Sequence, residues 1–145
     1  MIPDHVIRYI NEKRWIQLSI PYLILFWTLL ILYLTLFPSD AITDTRLFSY
    51  DKLGHFGMFG GWTGLIGLYF LIYKKKLNAP LFAIAILGIL FGAFIEFMQF
   101  LMPFDRYGNF DDFLANSLGC MTAYGILAYL RHHLRRIAQP DHFYK

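Results

Sequence analysis

Three short polar motifs interrupt an otherwise apolar chain of 145 residues. Each motif lies at the same end of a hydrophobic segment, so a bundle of those segments should bring all three together at one membrane face. Charged and hydrogen-bonding side chains cost free energy in or near hydrocarbon, and such residues are therefore functional candidates. The motifs are Asp51-Lys52-x-x-His55, Glu96-x-x-Gln99, and Arg106 followed by Asp112-x-x-x-Asn116.

Acid–base chemistry is one activity that these residues could support. Asp51 and His55 are four residues apart and share one face of a helix, where the carboxylate can orient the imidazole as a general acid or base. Glu96 lies about five residues inside the end of its helix, ~8 Å deep at 1.5 Å per residue. It is either a proton carrier or half of a buried pair with Arg106 or His55. The alternative for His55 is a hydrogen bond to a neighbouring helix. The candidate catalytic residues are His55, Asp51 and Glu96.

Binding of an anion is a second possibility. The guanidinium of Arg106 can hold a phosphate through two parallel hydrogen bonds, and the ammonium of Lys52 adds a further positive charge. The alternative for Arg106 is an ion pair with Asp112. Asn116 is expected to satisfy backbone or side-chain groups at the top of its helix. We predict a ligand-binding set made of Lys52, His55, Glu96, Gln99, Arg106, Asp112 and Asn116.

A metal centre is a third possibility, and the sequence disfavours it. Carboxylates and an imidazole are plausible ligands for a divalent ion, but Lys52 and Arg106 are positioned to neutralise the carboxylates. No pair of residues has the tight spacing of a metallohydrolase helix. We therefore expect neither a metal nor a cofactor. The residues that such a site would use are Asp51, His55, Glu96 and Asp112.

The composition indicates a membrane protein of one domain, residues 1–145. Hydrophobic residues make up 57% of the chain and the mean hydropathy is +0.46, whereas soluble domains are about 45–50% apolar. The net charge of +3 is modest, and the basic residues form no patch interleaved with aromatics, so nucleic acid is not an expected partner. A spanning helix needs roughly 20 mostly apolar residues. Four segments qualify, which predicts an all-α integral membrane protein, a four-transmembrane-helix bundle with spans at about 17–37, 53–73, 80–101 and 113–130.

The placement of lysine and arginine predicts the topology. Most of these residues lie in the N-terminal tail, in the connection between the second and third segments, and in the C-terminal tail. The other two connections hold only Arg46, Lys52 and Arg106. By the positive-inside rule, both termini lie in the cytoplasm and the three polar motifs lie on the outer side.

Small residues predict how the helices pack. Glycines line up with the polar residues of the third and fourth segments, and such stripes face neighbouring helices in membranes. The second segment carries a glycine arc on the side away from its polar residues, so Gly57, Gly61 and Gly64 could contact another membrane protein. The alternative is that this helix has two packing faces with different partners. The two stripes are Gly88, Gly92, Glu96 and Gln99, and Asp112, Asn116, Gly119 and Ala123.

Taken in order, these motifs resemble the VanZ-like family of membrane proteins. The resemblance covers nearly the whole chain and adds Leu36-Phe37-Pro38-Ser39 and Gly119 to the three polar motifs. Members of that family are small bacterial membrane proteins, named for one that raises resistance to the glycopeptide antibiotic teicoplanin. The resemblance implies a multi-pass protein of the bacterial cytoplasmic membrane with a role at the cell envelope.

Three functions are compatible with these features. The first is a cleft at the outer leaflet that binds an anionic lipid or a lipid-linked wall precursor. The second is an intramembrane enzyme that acts on a lipid head group by acid–base chemistry. The third is a structural or interaction role, in which the glycine arc binds another membrane protein. The sequence favours the first.

Overall fold

The computed structural model describes residues 14–36, 51–101 and 108–138, which form four helices and no strand. Each helix is long and apolar enough to cross a membrane. The all-helical, multi-pass prediction is therefore confirmed for this part of the chain. The helices are α1 (Arg14–Leu36), α2 (Asp51–Leu68, continued by a π-helical turn at Tyr69–Tyr73), α3 (Leu81–Leu101) and α4 (Phe110–Ala138).

At the end of the bundle that carries the polar motifs, the helix bounds agree with the predicted spans to within three residues. At the C-terminal end of α4, the helix is longer than predicted. Helix α4 continues to Ala138, whereas the apolar segment was predicted to stop near residue 130. The segment 131–138 contains no proline or glycine, so nothing in it breaks a helix. The predicted end was too early because hydropathy shows only where the charged residues begin, and this helix continues through them. Phe37, the predicted end of the first span, lies outside the described residues.

The tightest packing joins α2 to α4 through glycines. Gly60 on α2 faces Gly119 on α4, and a Cβ atom built on Gly60 would lie 3.0 Å from the carbonyl oxygen of Gly119. A Cβ atom on Gly119 would overlap the carbonyl oxygen of Phe56. Further along, Gly67 is covered by the side chain of Leu127. The backbones of α2 and α4 therefore approach each other as small residues allow in membrane helices.

Helix α1 packs on the other side of α2 and is held by two tryptophans. The indole Nε1 of Trp27 donates to the carbonyl oxygen of Met58 at 2.8 Å, and that of Trp62 donates to Thr28 Oγ1 at 2.9 Å. The ring of Trp27 also lies against Gly61. At Gly60, Gly61 and Gly67, the glycine arc of α2 thus packs against other helices of the same chain.

Two of the three glycines predicted to meet another protein have free space beside them. A Cβ atom on Gly57 or Gly64 would meet nothing within 4 Å among the described residues, whereas Gly61 is already occupied by Trp27. Contact of this arc with a membrane-protein partner stays a prediction, and only Gly57 and Gly64 keep a surface open for it.

The end of the bundle opposite the polar motifs is closed by basic side chains. Arg135 Nη2 donates to the carbonyl oxygen of Leu77 at 3.0 Å and to Asn78 Oδ1 at 2.8 Å. The ammonium of Lys74 lies 5.6 Å from the ring centre of Tyr69 and 5.5 Å from that of Tyr73. This end carries the Lys74–Lys76 run and the last turns of α4, so it is the end predicted to face the cytoplasm. That sidedness stays a prediction.

Candidate functional site

A buried hydrogen-bonded chain of three side chains lies at the polar end of the bundle. Asn116 is fully buried on α4, and its Nδ2 donates to Glu96 Oε1 on α3 at 3.1 Å. Its Oδ1 lies 3.0 Å from His55 Nδ1 on α2. Both His55 and Glu96 are less than one-tenth exposed, and His55 Nδ1 lies 3.6 Å from Glu96 Oε1. We call Glu96, Asn116 and His55 the buried relay; it joins the three helices that carry the predicted motifs.

The start of α4 fixes the second oxygen of Glu96. The backbone N–H of Asn109 donates to Glu96 Oε2 at 3.2 Å. Asn109 is also the N-cap of α4, because its side-chain Oδ1 accepts the N–H of Asp111 at 3.0 Å and satisfies one of the free donors of the first turn. Gly108 allows this approach, since a Cβ atom there would overlap the carbonyl oxygen of Glu96. Asn109 was not among the predicted site residues, although an asparagine directly before an apolar run is an N-cap signal.

The relay determines which nitrogen of His55 is available. A carboxylate has only acceptors, so the amide of Asn116 turns its NH₂ toward Glu96 and its oxygen toward His55. His55 Nδ1 therefore carries a hydrogen and donates to Asn116 Oδ1. In the neutral imidazole, the lone pair is then on Nε2, which lies 3.9 Å from Asp51 Oδ1.

Two aspartates lie near the imidazole of His55. One ring nitrogen of His55 and one carboxylate oxygen each from Asp51 and Asp112 all lie within 4.8 Å of one another. Asp112 is 8% exposed, and its Oδ1 is buried without a hydrogen-bond partner among the described residues. Asp51 is exposed at the rim. We call Asp51, His55 and Asp112 the carboxylate–imidazole triad.

Lys52 pairs with a residue to which the sequence gave no role. Its Nζ lies 2.5 Å from Asp111 Oδ2, and both side chains are more than half exposed. A solvent-exposed pair of this kind contributes little to stability, about 0–1 kcal/mol. The pair matters here because it directs the ammonium of Lys52 to Asp111 and not to the buried carboxylates. Four carboxylates thus face one lysine in the described part of the site.

Gln99 serves a different purpose from the rest of the predicted ligand-binding set. Its Nε2 donates to the carbonyl oxygen of Thr35 at 2.9 Å, which ties α3 to the last turn of α1. Both residues are buried. The structure therefore brings together His55, Glu96, Asp112 and Asn116, places Lys52 at the rim, and leaves Gln99 as a link between helices. Arg106 lies outside the described residues.

An open apolar groove runs from Glu96 along the surface between α3 and α4. It has a volume of about 460 Å³, which lies within the range of small-molecule sites. The walls are aromatic, and several of these rings are largely exposed, with Phe100 at 72% and Phe110 at 70%. We call this feature the phenylalanine groove. It was not predicted from the sequence, although the phenylalanines recur at helical spacing on both helices. Its lining consists of Ala93, Glu96, Phe97, Phe100, Gly108, Asn109, Phe110 and Phe113.

Comparison with known proteins identifies the family. No curated protein and no solved structure matches this chain at a significant level. The sequence model of the VanZ/LLP1 family, in contrast, matches residues 6–131. This range contains the first three helices and α4 as far as Arg131, the first charged residue after the last apolar segment. The predicted resemblance is confirmed, and the chain belongs to the VanZ/LLP1 family.

Proposed function

We propose that this protein binds a lipid-type molecule with an anionic head group, such as an anionic phospholipid or a lipid-linked wall precursor. The head group would lie at the polar end of the bundle, and the chain would follow the phenylalanine groove. The observation that carries the proposal is that the buried relay and the phenylalanine groove are continuous. Glu96 both belongs to the buried relay and lines the groove, so polar and apolar parts of one ligand could be held side by side.

The charge balance of the described residues supports a main role for Arg106. In the described part of the site carboxylates outnumber Lys52, which already pairs with Asp111. An anionic head group needs more positive charge than that lysine supplies. Arg106, in the connection between α3 and α4, is the further cation in our predicted set, and a guanidinium can hold a phosphate through two hydrogen bonds.

The cellular setting of the proposal follows from the topology and the family. With both termini in the cytoplasm, the groove and the polar end would face the outer leaflet of the bacterial cytoplasmic membrane. Lipid-linked wall precursors are exposed there. Binding of such a precursor would be consistent with a role at the cell envelope of the kind that gave the family its name, resistance to teicoplanin.

Filling the groove tests the proposal. Ala93 lines the groove beside Glu96, and an Ala93→Trp substitution should occupy its volume. We expect this variant to lose most of the lipid that remains bound after gentle extraction, as measured by native mass spectrometry. The matched control is Leu87→Trp on the same helix, because Leu87 is 52% exposed and does not line the groove. Equal lipid retention in the two folded variants would show that the groove is not the binding site.

An enzyme that acts on the lipid head group is the second candidate. The buried relay favours it, because a carboxylate, an amide and an imidazole in sequence fix the tautomer of His55 and leave Nε2 free as a general base. The two candidates differ in one observable. A binding protein leaves the mass of its lipid unchanged, whereas an enzyme converts the lipid to a product of different mass.

A further inference from the structure

We propose that the carboxylate–imidazole triad of Asp51, His55 and Asp112 binds one divalent cation of the Zn²⁺ or Mn²⁺ class. The inference goes beyond the lipid-binding proposal and does not depend on it. It revises the sequence-based expectation that the protein holds no metal. Three features of the described residues carry it: the orientation of His55, the buried oxygen of Asp112, and the pairing of Lys52.

The orientation of His55 is that of a metal ligand. A histidine that binds a metal almost always donates its other ring N–H to a protein acceptor, which fixes the tautomer and the ring. Here Nδ1–H donates to Asn116 Oδ1 at 3.0 Å, and Asn116 is held in turn by Glu96. The lone pair of Nε2 is therefore directed away from the relay. Nε2 lies 3.9 Å from Asp51 Oδ1, which is too long for a hydrogen bond.

The buried oxygen of Asp112 supplies the second observation. Asp112 is more than nine-tenths buried, and its Oδ1 has no hydrogen-bond partner among the described residues. Removing an ionised carboxylate from water without a partner is strongly unfavourable. A divalent ion held between Asp112 and His55 would offset that cost.

The pairing of Lys52 removes part of the argument against a metal. From their positions in the sequence, Lys52 and Arg106 were expected to neutralise the carboxylates. In the structure Lys52 binds Asp111, which is not a member of the triad. Glu96 is also excluded as a ligand in this arrangement, since both of its oxygens accept hydrogen bonds, from Asn116 and from the backbone of Asn109. Among the described residues, no lysine or arginine forms an ion pair with a member of the triad.

The donor set indicates the class of ion. Three protein ligands of nitrogen and oxygen type, with a further position open to water, are typical of Zn²⁺ sites with ligand distances of about 2.0–2.2 Å; Mn²⁺ accepts the same carboxylates. In a tetrahedral site with these distances, two ligand atoms lie roughly 3.4 Å apart. The present separations of up to 4.8 Å require the ligands to close. Asp51, with a side chain 49% exposed, has room to rotate inward.

Titration of the tag-free, chelator-stripped full chain with MnCl₂ and with ZnCl₂ tests the site. We expect one ion per chain, detected by calorimetry and by loss of the electron paramagnetic resonance signal of free Mn²⁺. Asp112→Asn should weaken binding by roughly tenfold or more, the size of effect seen when metal-site partners are removed. Asp51→Asn should do the same, and because Asp51 is at the rim this variant should fold even if Asp112→Asn does not.

The double variant Lys52→Gln/Asp111→Asn is the matched control, since it removes the exposed ion pair beside the triad as a unit and leaves no freed cation next to it. We expect its affinity for Mn²⁺ to fall much less than that of Asp112→Asn, because neither residue belongs to the triad. Absence of ion binding by the wild-type chain would overturn the proposal. Equal weakening in Lys52→Gln/Asp111→Asn and in Asp112→Asn would also overturn it, because a diffuse charged surface would then explain the binding. Neither result bears on lipid retention, so a failure here and a failure of the lipid proposal are distinguishable.

Discussion

Replacing Gly119 by alanine is expected to destabilise the bundle by about 1–3 kcal/mol, the usual cost of overpacking a well-packed interface. The new methyl group would overlap the carbonyl oxygen of Phe56 and lie 3.0 Å from the backbone nitrogen of Gly60. Both neighbours are backbone atoms, so no side chain can rotate to make room. Helices α2 and α4 would have to separate. The free energy of unfolding in mixed micelles of increasing SDS content measures the effect.

Gly125→Ala is the matched control for that substitution. Gly125 lies on the same helix, and a Cβ atom there would meet nothing within 4 Å among the described residues. Alanine is the better helix former by about 1 kcal/mol, so this variant should be at least as stable as wild type. If Gly119→Ala were as stable as Gly125→Ala, the close approach of α2 and α4 would be contradicted.

Replacing Asn116 by leucine is expected to have the second large effect. Leucine has the same branched shape and number of side-chain heavy atoms but removes the amide that joins Glu96 to His55. Glu96 Oε1 would lose a donor and His55 Nδ1 would lose an acceptor, and each buried unsatisfied group costs about 1–3 kcal/mol. We therefore expect a lower free energy of unfolding in the same SDS titration. If the relay also sets the tautomer of His55, the variant should lose ion binding at the triad.

Ser117→Ala is the matched control, because it removes a polar side chain from the residue next to Asn116 on α4. The hydroxyl of Ser117 donates only to the carbonyl oxygen of Phe113 in its own helix, at 2.8 Å. Its removal should change stability by no more than about 0.5 kcal/mol, as for sites without a structural role. Similar stabilities for Asn116→Leu and Ser117→Ala would mean that the relay contributes nothing to the fold.

The sequence was sufficient to predict the helices and the faces that they bury. Long apolar segments predict spanning helices because backbone groups in hydrocarbon must be satisfied within the segment. The polar and small residues at helical spacing on α3 were predicted to face the interior, and Gly88, Gly92, Glu96 and Gln99 are all buried. On α4 the same reasoning placed Asp112 and Asn116 correctly. Periodicity carries this information because each helix has a fixed repeat.

Only some of the partners within the site were predictable from the sequence. His55 was one predicted partner of Glu96, and His55 Nδ1 does lie 3.6 Å from Glu96 Oε1. The bridge of Asn116 between the two and the pairing of Lys52 with Asp111 were not predicted. These partners depend on how far one helix is shifted along its axis relative to its neighbour. The pattern of residues on a single helix does not contain that information. The phenylalanine groove was missed for the same reason, since its two walls come from different helices.

Native mass spectrometry of the gently extracted wild-type protein tests the central claim, anionic lipid binding, most directly. Arg106→Ala and, as a matched control from the other predicted outer connection, Arg46→Ala should be measured beside it. We predict one intact anionic lipid on the wild-type and Arg46→Ala proteins and its loss from Arg106→Ala, because a bidentate guanidinium contact to the head group is removed. Folded protein that carries no lipid in any of the three, or that keeps the same lipid in Arg106→Ala, would contradict the account.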